Sequence, residues 1–226
     1  PKAEAKHAAS EASGAALVSA LDAVLGVQAD VALDAVPVPH RRVERWKYTP
    51  VATWWKDVLA PEVNTVADAG CEANPVPGLD AYRLVFVNGT FDAAASDLPV
   101  HTGVTCMPLS QRGDAKLQDV DAFSPEGSDW FAGLNGRYSQ EGLYLRVAQG
   151  VELDRPILIH HHTGGAGAFN VLRHDIALAL NASVKLIQWS TAAANADGSV
   201  NVLTRADVAQ GSRLHIDKVQ DEEGTV

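Results

Sequence analysis

The sequence predicts a mainly β protein in which residues 143–226 form a parallel β-helix, or β-solenoid, behind a small N-terminal α-helical and mixed region. Three observations predict this fold. A unit of about thirty residues occurs three times in the second half of the chain. Each unit carries a glycine or an asparagine at the same place. On either side of that residue, apolar or small side chains alternate with polar ones, as in strands with one buried face.

The repeat has a defined register when Gly150, Asn181 and Gly211 are treated as one position, because rows of similar residues then coincide. The rows are Val147, Leu178 and Val208; Leu145, Ile176 and Ala206; and Leu153, Val184 and Leu214. Glycine and asparagine adopt positive φ at low cost, so each unit is predicted as strand, tight corner, strand. One unit cannot cover its own apolar face, and stacked units of parallel strands form a β-helix. A β-sandwich is the alternative, but nothing in a sandwich requires one register three times.

The N-terminal elements are predicted from apolar spacing and from prolines. Residues 10–25 have the three-to-four spacing of one helix face, and Gly26 is placed to end the helix. The apolar face consists of Leu17, Leu21, Val24 and Leu25. The prolines in residues 36–40 make that segment an extended connector. The segment that follows Pro50 and runs through Trp54 and Trp55 to Leu59 suits a short helix.

The middle of the chain contains the strongest local signal, a β-hairpin. The strand 82–87 is followed by Asn88-Gly89, the positive-φ pair of a tight turn, and by a return at Thr90-Phe91. A further strand is predicted at 104–109. A helix capped by Ser128 or Asp129 then carries Phe131, Leu134, Asn135 and Tyr138 and stops at Gly142. We therefore divide the chain into an N-terminal region at 1–80, a hairpin and connecting helix at 81–142, and the first coils at 143–226.

Composition excludes several classes of function. The chain of 226 residues has 18 Lys and Arg against 28 Asp and Glu, a formal net charge of −10. This charge argues against nucleic acid and anionic membrane surfaces as partners. Neither an apolar run of about 20 residues nor a secretory signal occurs, so a cytoplasmic protein is predicted. The cysteines, Cys71 and Cys106, are far apart and predict two reduced thiols rather than a disulfide or a zinc site.

The run His160-His161-His162 is the candidate for metal chemistry. In a strand His160 and His162 face one side and His161 the other, so at most two of them can meet one ion. His174 and His215 fall on other rungs, and His215 shares a row with Asp154 and Lys185. We expect solvent-facing or hydrogen-bonded structural histidines, and a histidine-based metal-binding protein stays open as an alternative. No metal, catalytic or cofactor-binding residue is assigned.

Other enzyme classes lack their motifs. The sequence has no G-x-S-x-G, no P-loop and no G-x-G-x-x-G, which leaves acyl transfer and nucleotide binding unsupported. The glycines at 164–167 are predicted to be a loop between rungs. A β-helical carbohydrate-active enzyme would need clustered carboxylates. The candidates Asp154, Asp175, Asp207 and Asp217 fall in different rows, which weakens that alternative without removing it.

Four segments carry a resemblance to a known family. They are residues 45–49 (RWKYT), 82–91 (YRLVFVNGTF), 131–135 (FAGLN) and 150–157 (GVELDRPI). In this order they resemble the SufB/SufD family of iron–sulfur cluster assembly subunits, and the short N-terminal region is similar to the SufD branch. For the 45–49 element we expect a structural role, with Trp46 and Tyr48 as packing anchors.

The resemblance implies a non-enzymatic scaffold subunit with a right-handed parallel β-helix core. Its implied partners are a SufB-type subunit and a SufC-type ATPase. It implies no cofactor bound by this chain itself; an iron–sulfur cluster, FAD or ATP would belong to the wider complex. Members of this family extend beyond the point at which this sequence stops, just after the strand 214–219. We therefore expect the chain to be an N-terminal part, with the ATPase-binding helices and the rungs that meet SufB further on.

Overall fold

A computed structural model describes residues 15–23, 25–28, 33, 38–42, 44–49, 51, 76–115, 130–164, 166–193 and 196–222. The chain divides into two compact units. The first comprises Pro1–Val63 and Asp119–Ser139, and the second comprises Asn64–Gln118 and Gln140–Val226.

Helix α1, residues 15–23, belongs to the first unit and confirms the predicted N-terminal helix. Leu21 is fully buried, and Gly26 follows with a φ of 72° and donates its N–H to the carbonyl of Asp22 at 3.1 Å. The Asp22 carboxylate accepts two hydrogen bonds from Arg137, at 2.8 and 2.9 Å, and one from the Tyr138 hydroxyl at 2.7 Å. The bond from Arg137 lowers the pKa of Asp22. This network ties α1 to the helix that carries Arg137.

That helix, α2, runs from Trp130 to Tyr138. It confirms the predicted helix, although it ends four residues before Gly142; Ser128 and Asp129, the predicted caps, lie outside the described residues. Its buried side chains include Trp130, Leu134, Asn135 and Tyr138. In the described part of the chain no helix combines the length and the apolar character that crossing a membrane requires.

The 45–49 element is short and only partly packed. Glu44–Trp46 form a 3₁₀ turn, and the Trp46 ring lies 5.0 Å from the ring of Phe131. Tyr48 leaves 87% of its surface exposed, so its predicted role as a packing anchor is wrong. Of the short helix predicted between Pro50 and Leu59, the described residues include only Val51, which is helical and buried. The packing function of this element therefore falls to Trp46.

The described residues of the second unit form nine strands. In chain order they are β1 Tyr82–Val87, β2 Thr90–Phe91, β3 Val104–Pro108, β4 Leu143–Val147, β5 Ile157–Thr163, β6 Ala166–Leu178, β7 Ser183–Ala192, β8 Asp197–Val208 and β9 Arg213–Asp221. The order in one sheet is β2-β1-β5-β7-β9, and in the other it is β3-β4-β6-β8. From β4 to β9 the chain alternates between the two sheets.

Pairing is parallel within the alternating part and antiparallel at its margins. Each strand from β4 to β7 pairs in parallel with the strand two places later, and β1 pairs in parallel with β5. The predicted hairpin is confirmed: Val87 faces Thr90, and Asn88 and Gly89 have φ values of 48° and 75°. The predicted strand at 104–109 is confirmed as β3, which pairs antiparallel with β4.

The three predicted corners recur in the structure with one geometry. The φ values of Gly150, Asn181 and Gly211 are 71°, 57° and 75°. Next to them, Val151, Ala182 and Ser212 donate their N–H groups to Ala148, Ala179 and Ala209 at 3.2, 3.1 and 3.1 Å. The predicted rows are confirmed where strands pair: Leu145, Ile176 and Ala206; Val147, Leu178 and Val208; Val184 and Leu214. The strand–corner–strand unit is therefore a structural repeat.

The core consists of the alternate side chains of both sheets. Its buried members include Leu84, Phe86, Leu145, Ile157, Ile159, Leu172, Ile176, Leu178, Val184 and Leu186. Burying one such side chain completely contributes about 1.5–3 kcal/mol. Toward the last strands the core becomes less covered, since Val202, Ala206, Leu214 and Ile216 are only partly buried. The best-protected interior therefore surrounds β5 and β6.

Candidate functional site

Strand β5 carries three histidines in the middle of the second unit. It pairs with β1 on one side and β7 on the other, and all seven of its residues are buried. The exposed fractions of His160, His161 and His162 are 1%, 4% and 8%. Together with His174 of β6, which is fully buried, we call these residues the histidine layer. The sequence left two expectations for the histidines, solvent-facing or hydrogen-bonded. The first is wrong, because these side chains are buried.

His161 and His174 form the inner pair of the layer. Their rings stack with centroids 5.2 Å apart and planes inclined by 16°. The Leu143 N–H donates to Nδ1 of His174 at 3.0 Å, so neutral His174 carries its proton on Nε2. The Nε2 atoms of both rings are buried, with no hydrogen-bond partner among the described residues.

Burial keeps the inner pair neutral. It lowers the pKa of His161 to about 3, with further contributions from the charges of His160 and Lys218. It also holds the pKa of His174 well below the usual 6.5, with further contributions from His161 and Lys218. Neutral imidazoles stacked in an apolar interior are consistent with a packing role.

His160 and His162 form the outer pair, on the opposite face of β5, as the alternation predicted. His160 Nε2 and His162 Nδ1 each lie 2.8 Å from the same atom, Thr191 Oγ1. A hydroxyl has one proton, so when it donates to one nitrogen, the other nitrogen must donate to it. The Nε2 atom of His162 is buried without a partner in the described part of the structure. Burial lowers the pKa of His160 to about 4 and also lowers that of His162.

The remaining sequence-predicted ligands do not join this layer. His215 lies beside Lys185, as predicted, and contacts Asp217 at 2.9 Å. Asp154 accepts a hydrogen bond from Tyr82 at 3.1 Å. Among the described residues no three side chains of histidine, cysteine, aspartate or glutamate are grouped to hold a metal ion.

The carboxylates of the coils are separated. Asp175 pairs with Arg205, Asp207 with Ala177 and Asp217 with Ile187 in neighbouring strands. Buried Asp175 forms ion pairs with Arg146 at 2.5 Å and with Arg173 at 3.4 Å. These carboxylates therefore provide no flanking acid–base pair of the kind that glycoside hydrolysis uses.

Cys106, the cysteine within the described residues, is poorly suited to nucleophilic attack or to metal binding. Cys106 lies on β3 and is partly buried. Burial raises the pKa of its thiol to about 12, so the thiolate that attacks or ligates is scarce at neutral pH. Cys71 lies outside the described residues. The predicted loop at 164–167 reduces to a short connection between β5, which ends at Thr163, and β6, which begins at Ala166.

The last two strands, β8 and β9, are edge strands of their sheets among the described residues. Within the described residues β8 pairs with β6 alone and β9 with β7 alone. The strands contain 12 and 9 residues. An edge strand of this length is a template for another strand.

Sequence reasoning did not identify Thr191, although a signal for it existed. His162 faces Thr191 in the neighbouring strand of the same sheet, one coil further along the chain. The spacing of 31 residues between the corners Gly150 and Asn181 relates Thr191 to His160, whereas in the structure Thr191 pairs with His162, on the same face of β5. Extending the rows beyond the apolar residues would have placed a hydroxyl beside the outer histidines.

Comparisons with known proteins fit this architecture. A family model described as "SufBD protein N-terminal region" matches residues 24–159. The chain is 26% identical over 157 residues to the iron–sulfur cluster assembly protein SufD of Escherichia coli (strain K12). The match covers 67% of this chain and 35% of that protein. The chain thus spans about a third of the length of this curated relative.

Proposed function

This chain belongs to the SufBD family, and on that premise we propose that it is the N-terminal part of a non-catalytic scaffold subunit in iron–sulfur cluster assembly. We propose that the subunit works through contacts with SufB- and SufC-type partners in the cytoplasm. The name of the E. coli relative supports a role in iron–sulfur cluster assembly. The partners and the scaffold role rest on the resemblance and on the surfaces described above.

The observation that carries the proposal is the repeated strand–corner–strand unit that ends in two edge strands, β8 and β9. The chain alternates between two sheets, turns through the same corner at Gly150, Asn181 and Gly211, and reaches β8 and β9, which end the strand orders of the two sheets among the described residues. We propose that this is the beginning of a right-handed parallel β-helix. Further strands, from the same protein or from a partner, would pair with these two edge strands, since a long edge strand is a template for another strand.

The described side chains support a scaffold rather than a catalyst. The histidine layer is buried and neutral, the carboxylates of the coils lie in separate rows, and the Cys106 thiol has a raised pKa. General acid–base or nucleophilic catalysis requires accessible groups that titrate near the working pH. We propose that the iron–sulfur cluster, ATP and any flavin are bound by other parts of the complex.

A cellular experiment tests this function. We expect deletion of the gene for the full-length protein to lower the activity of an iron–sulfur enzyme. We expect the wild type and the double variant Cys71→Ser/Cys106→Ser to restore it equally, because neither thiol is a ligand in the proposal. Unchanged enzyme activity in the deletion strain would contradict the assignment. Lyase activity of the purified full-length protein on polysaccharides would favour the carbohydrate-active alternative.

A further inference from the structure

The interior of the coils contains polar side chains as well as apolar ones, and Lys218 adds a cation to it on the edge strand β9. We propose that, in the full-length chain, the strand that pairs with β8 places a carboxylate opposite Lys218, and that the two form an ion pair inside the coils. This inference deepens the proposed function and rests on it, because it concerns a strand that the proposed function adds to β8.

Lys218 lies on the face of β9 that points into the coils. Leu214 and Ile216 of the same strand pack against the core, and Lys218 continues their alternation with the period of two that a strand has. In the neighbouring strand β7, Lys218 pairs with Gln188, whose side chain is only 5% exposed. The row that contains Lys218 therefore begins in the interior.

The preceding coil shows which position lies opposite Lys218. The side-chain nitrogen of Gln188 donates to Thr204 Oγ1 at 2.9 Å, and this bond joins β7 to β8 across the interior. Thr204 is itself the neighbour of buried His174 in β6. One coil later, Lys218 takes the place of Gln188, and the place of Thr204 falls to the residue that pairs with Thr204 in a further strand. We call that residue the facing residue.

The ammonium group of Lys218 requires a counter-charge once a further strand covers it. In the described structure Lys218 is exposed, and it forms no ion pair with another described residue. A charge that becomes buried on folding is normally paired, because its desolvation is otherwise uncompensated. The inner histidines cannot supply the counter-charge, since burial and the charge of Lys218 lower the pKa of both His161 and His174 and keep them neutral. The facing residue is therefore an aspartate or a glutamate.

A lysine that remains in water at an uncovered edge is the competing explanation. Two observations favour coverage by the chain itself. Leu214 and Ile216, on the same face of β9, are only partly buried, so a further coil would complete the cover of apolar side chains as well. The match also covers only 35% of the E. coli relative, and a full-length protein of that size has residues for further coils.

The experiment is zero-length cross-linking of the purified full-length protein with a carbodiimide, followed by peptide mass spectrometry. The reagent joins an amine to a carboxylate only where the two are in contact, so it identifies the facing residue. We expect an amide bond between Lys218 and one aspartate or glutamate about thirty residues after Thr204, because the coils repeat at that spacing.

Stability provides a second readout. Lys218→Met should lower the urea midpoint of the full-length protein, because it leaves the facing carboxylate buried without its counter-charge. The matched control is Lys185→Met, one coil earlier on the outer face of β7. The Lys185 side chain is 52% exposed and pairs with Asp217 at 3.4 Å, so this variant should keep the wild-type midpoint. If Lys218→Met does not fold, the cross-link in the wild type decides.

Acetylation of the lysines separates failure of this inference from failure of the proposed function. If Lys218 of the full-length protein reacts with acetic anhydride as fast as Lys185, no strand covers it and the inference is overturned. Protection of Lys218 without a cross-link to a carboxylate of the same chain also overturns the inference, but it leaves a further coil in place. A cross-link to another subunit overturns the assignment to the same chain. The proposed function is judged separately, by the presence of SufB- and SufC-type subunits in the purified complex.

Discussion

The side-chain oxygen of Asn181 occupies the space that a Cβ atom at residue 211 would need. The two residues hold the same corner position in consecutive coils, and the Asn181 N–H also donates to the carbonyl of Gln210 at 3.2 Å. Gly211 is thus favoured by its φ of 75°, and a Cβ at that position would also require the Asn181 side chain to move.

Substitution of the corner glycines separates these two requirements. Gly150 has a φ of 71°, but a Cβ at that position would meet nothing within 4 Å. We expect Gly150→Ala to lower the free energy of unfolding by about 1–2 kcal/mol through positive φ alone. Gly211→Ala should lower it by roughly 2–4 kcal/mol, because the overpacking against Asn181 is added. Urea unfolding measures the free energy of unfolding of both variants. Equal losses would show that the contact between residue 211 and Asn181 does not affect stability.

The ion pairs around Asp175 predict a large effect of removing one charge. Asp175 is buried and faces Arg146 and Arg173, whereas the Asp217 side chain is about half exposed and faces Lys185 and His215. Asp175→Asn should destabilise the fold by about 3–5 kcal/mol, since the guanidinium groups lose their buried counter-charge. Asp217→Asn should change stability little, because water screens its partners. Chemical unfolding of both variants checks this; similar losses would contradict the burial of the Asp175 cluster.

The histidine layer predicts loss of stability in mild acid. The pKa of His174 is held well below 6.5 by burial, while in the unfolded chain it is about 6.5. Above pH 6.5 neither state binds the proton. As the pH falls from 6.5 toward 4, His174 binds a proton in the unfolded chain but not in the folded chain. The free energy of unfolding therefore decreases by up to about 1.4 kcal/mol per pH unit for each such histidine.

Unfolding free energies measured between pH 7.5 and 4.5 test this expectation. His174→Gln should reduce the slope below pH 6.5, whereas His101→Gln, at an exposed histidine, should leave it unchanged. A slope that is the same in His174→Gln and in the wild type would show that His174 is not buried as a neutral group.

The thiol of Cys106 should react slowly in the folded protein. Burial raises its pKa to about 12, and the thiolate is the reactive form. In a Cys71→Ser background, we expect alkylation by iodoacetamide at pH 8 to be slow in buffer and fast in urea. Equal rates in the two solvents would mean that Cys106 is accessible and titrates normally.

Features set by local backbone preference were predictable from the sequence. Asn88-Gly89 marked the hairpin, and Gly150, Asn181 and Gly211 marked the corners, because these residues adopt positive φ at low cost. Once the corners were aligned, the rows through β4, β6 and β8 and the row of Val184 with Leu214 followed from the alternation of side chains, whereas β5 pairs with β7 two residues away from that register. The face occupied by each histidine of β5 was also predictable, since it depends only on the period of two in a strand.

Features set by distant contacts were not predictable. Tyr82 of β1 faces Ile157 of β5, so the hairpin belongs to the same sheet as the coils, and nothing near residue 82 indicates that partner. The exposure of Tyr48 and the burial of Asp175 depend on which surfaces cover them. Such coverage is a property of tertiary packing and leaves no periodic signal in one sequence.

The central claim is that this chain is part of a scaffold that acts by binding other subunits. Native mass spectrometry tests it most directly, on the full-length protein co-expressed with SufB- and SufC-type subunits and purified through a tag on the protein itself. We expect one complex that contains all three kinds of subunit in a fixed ratio. Recovery of this protein alone, at every concentration measured and with both partners present and folded, would contradict the claim.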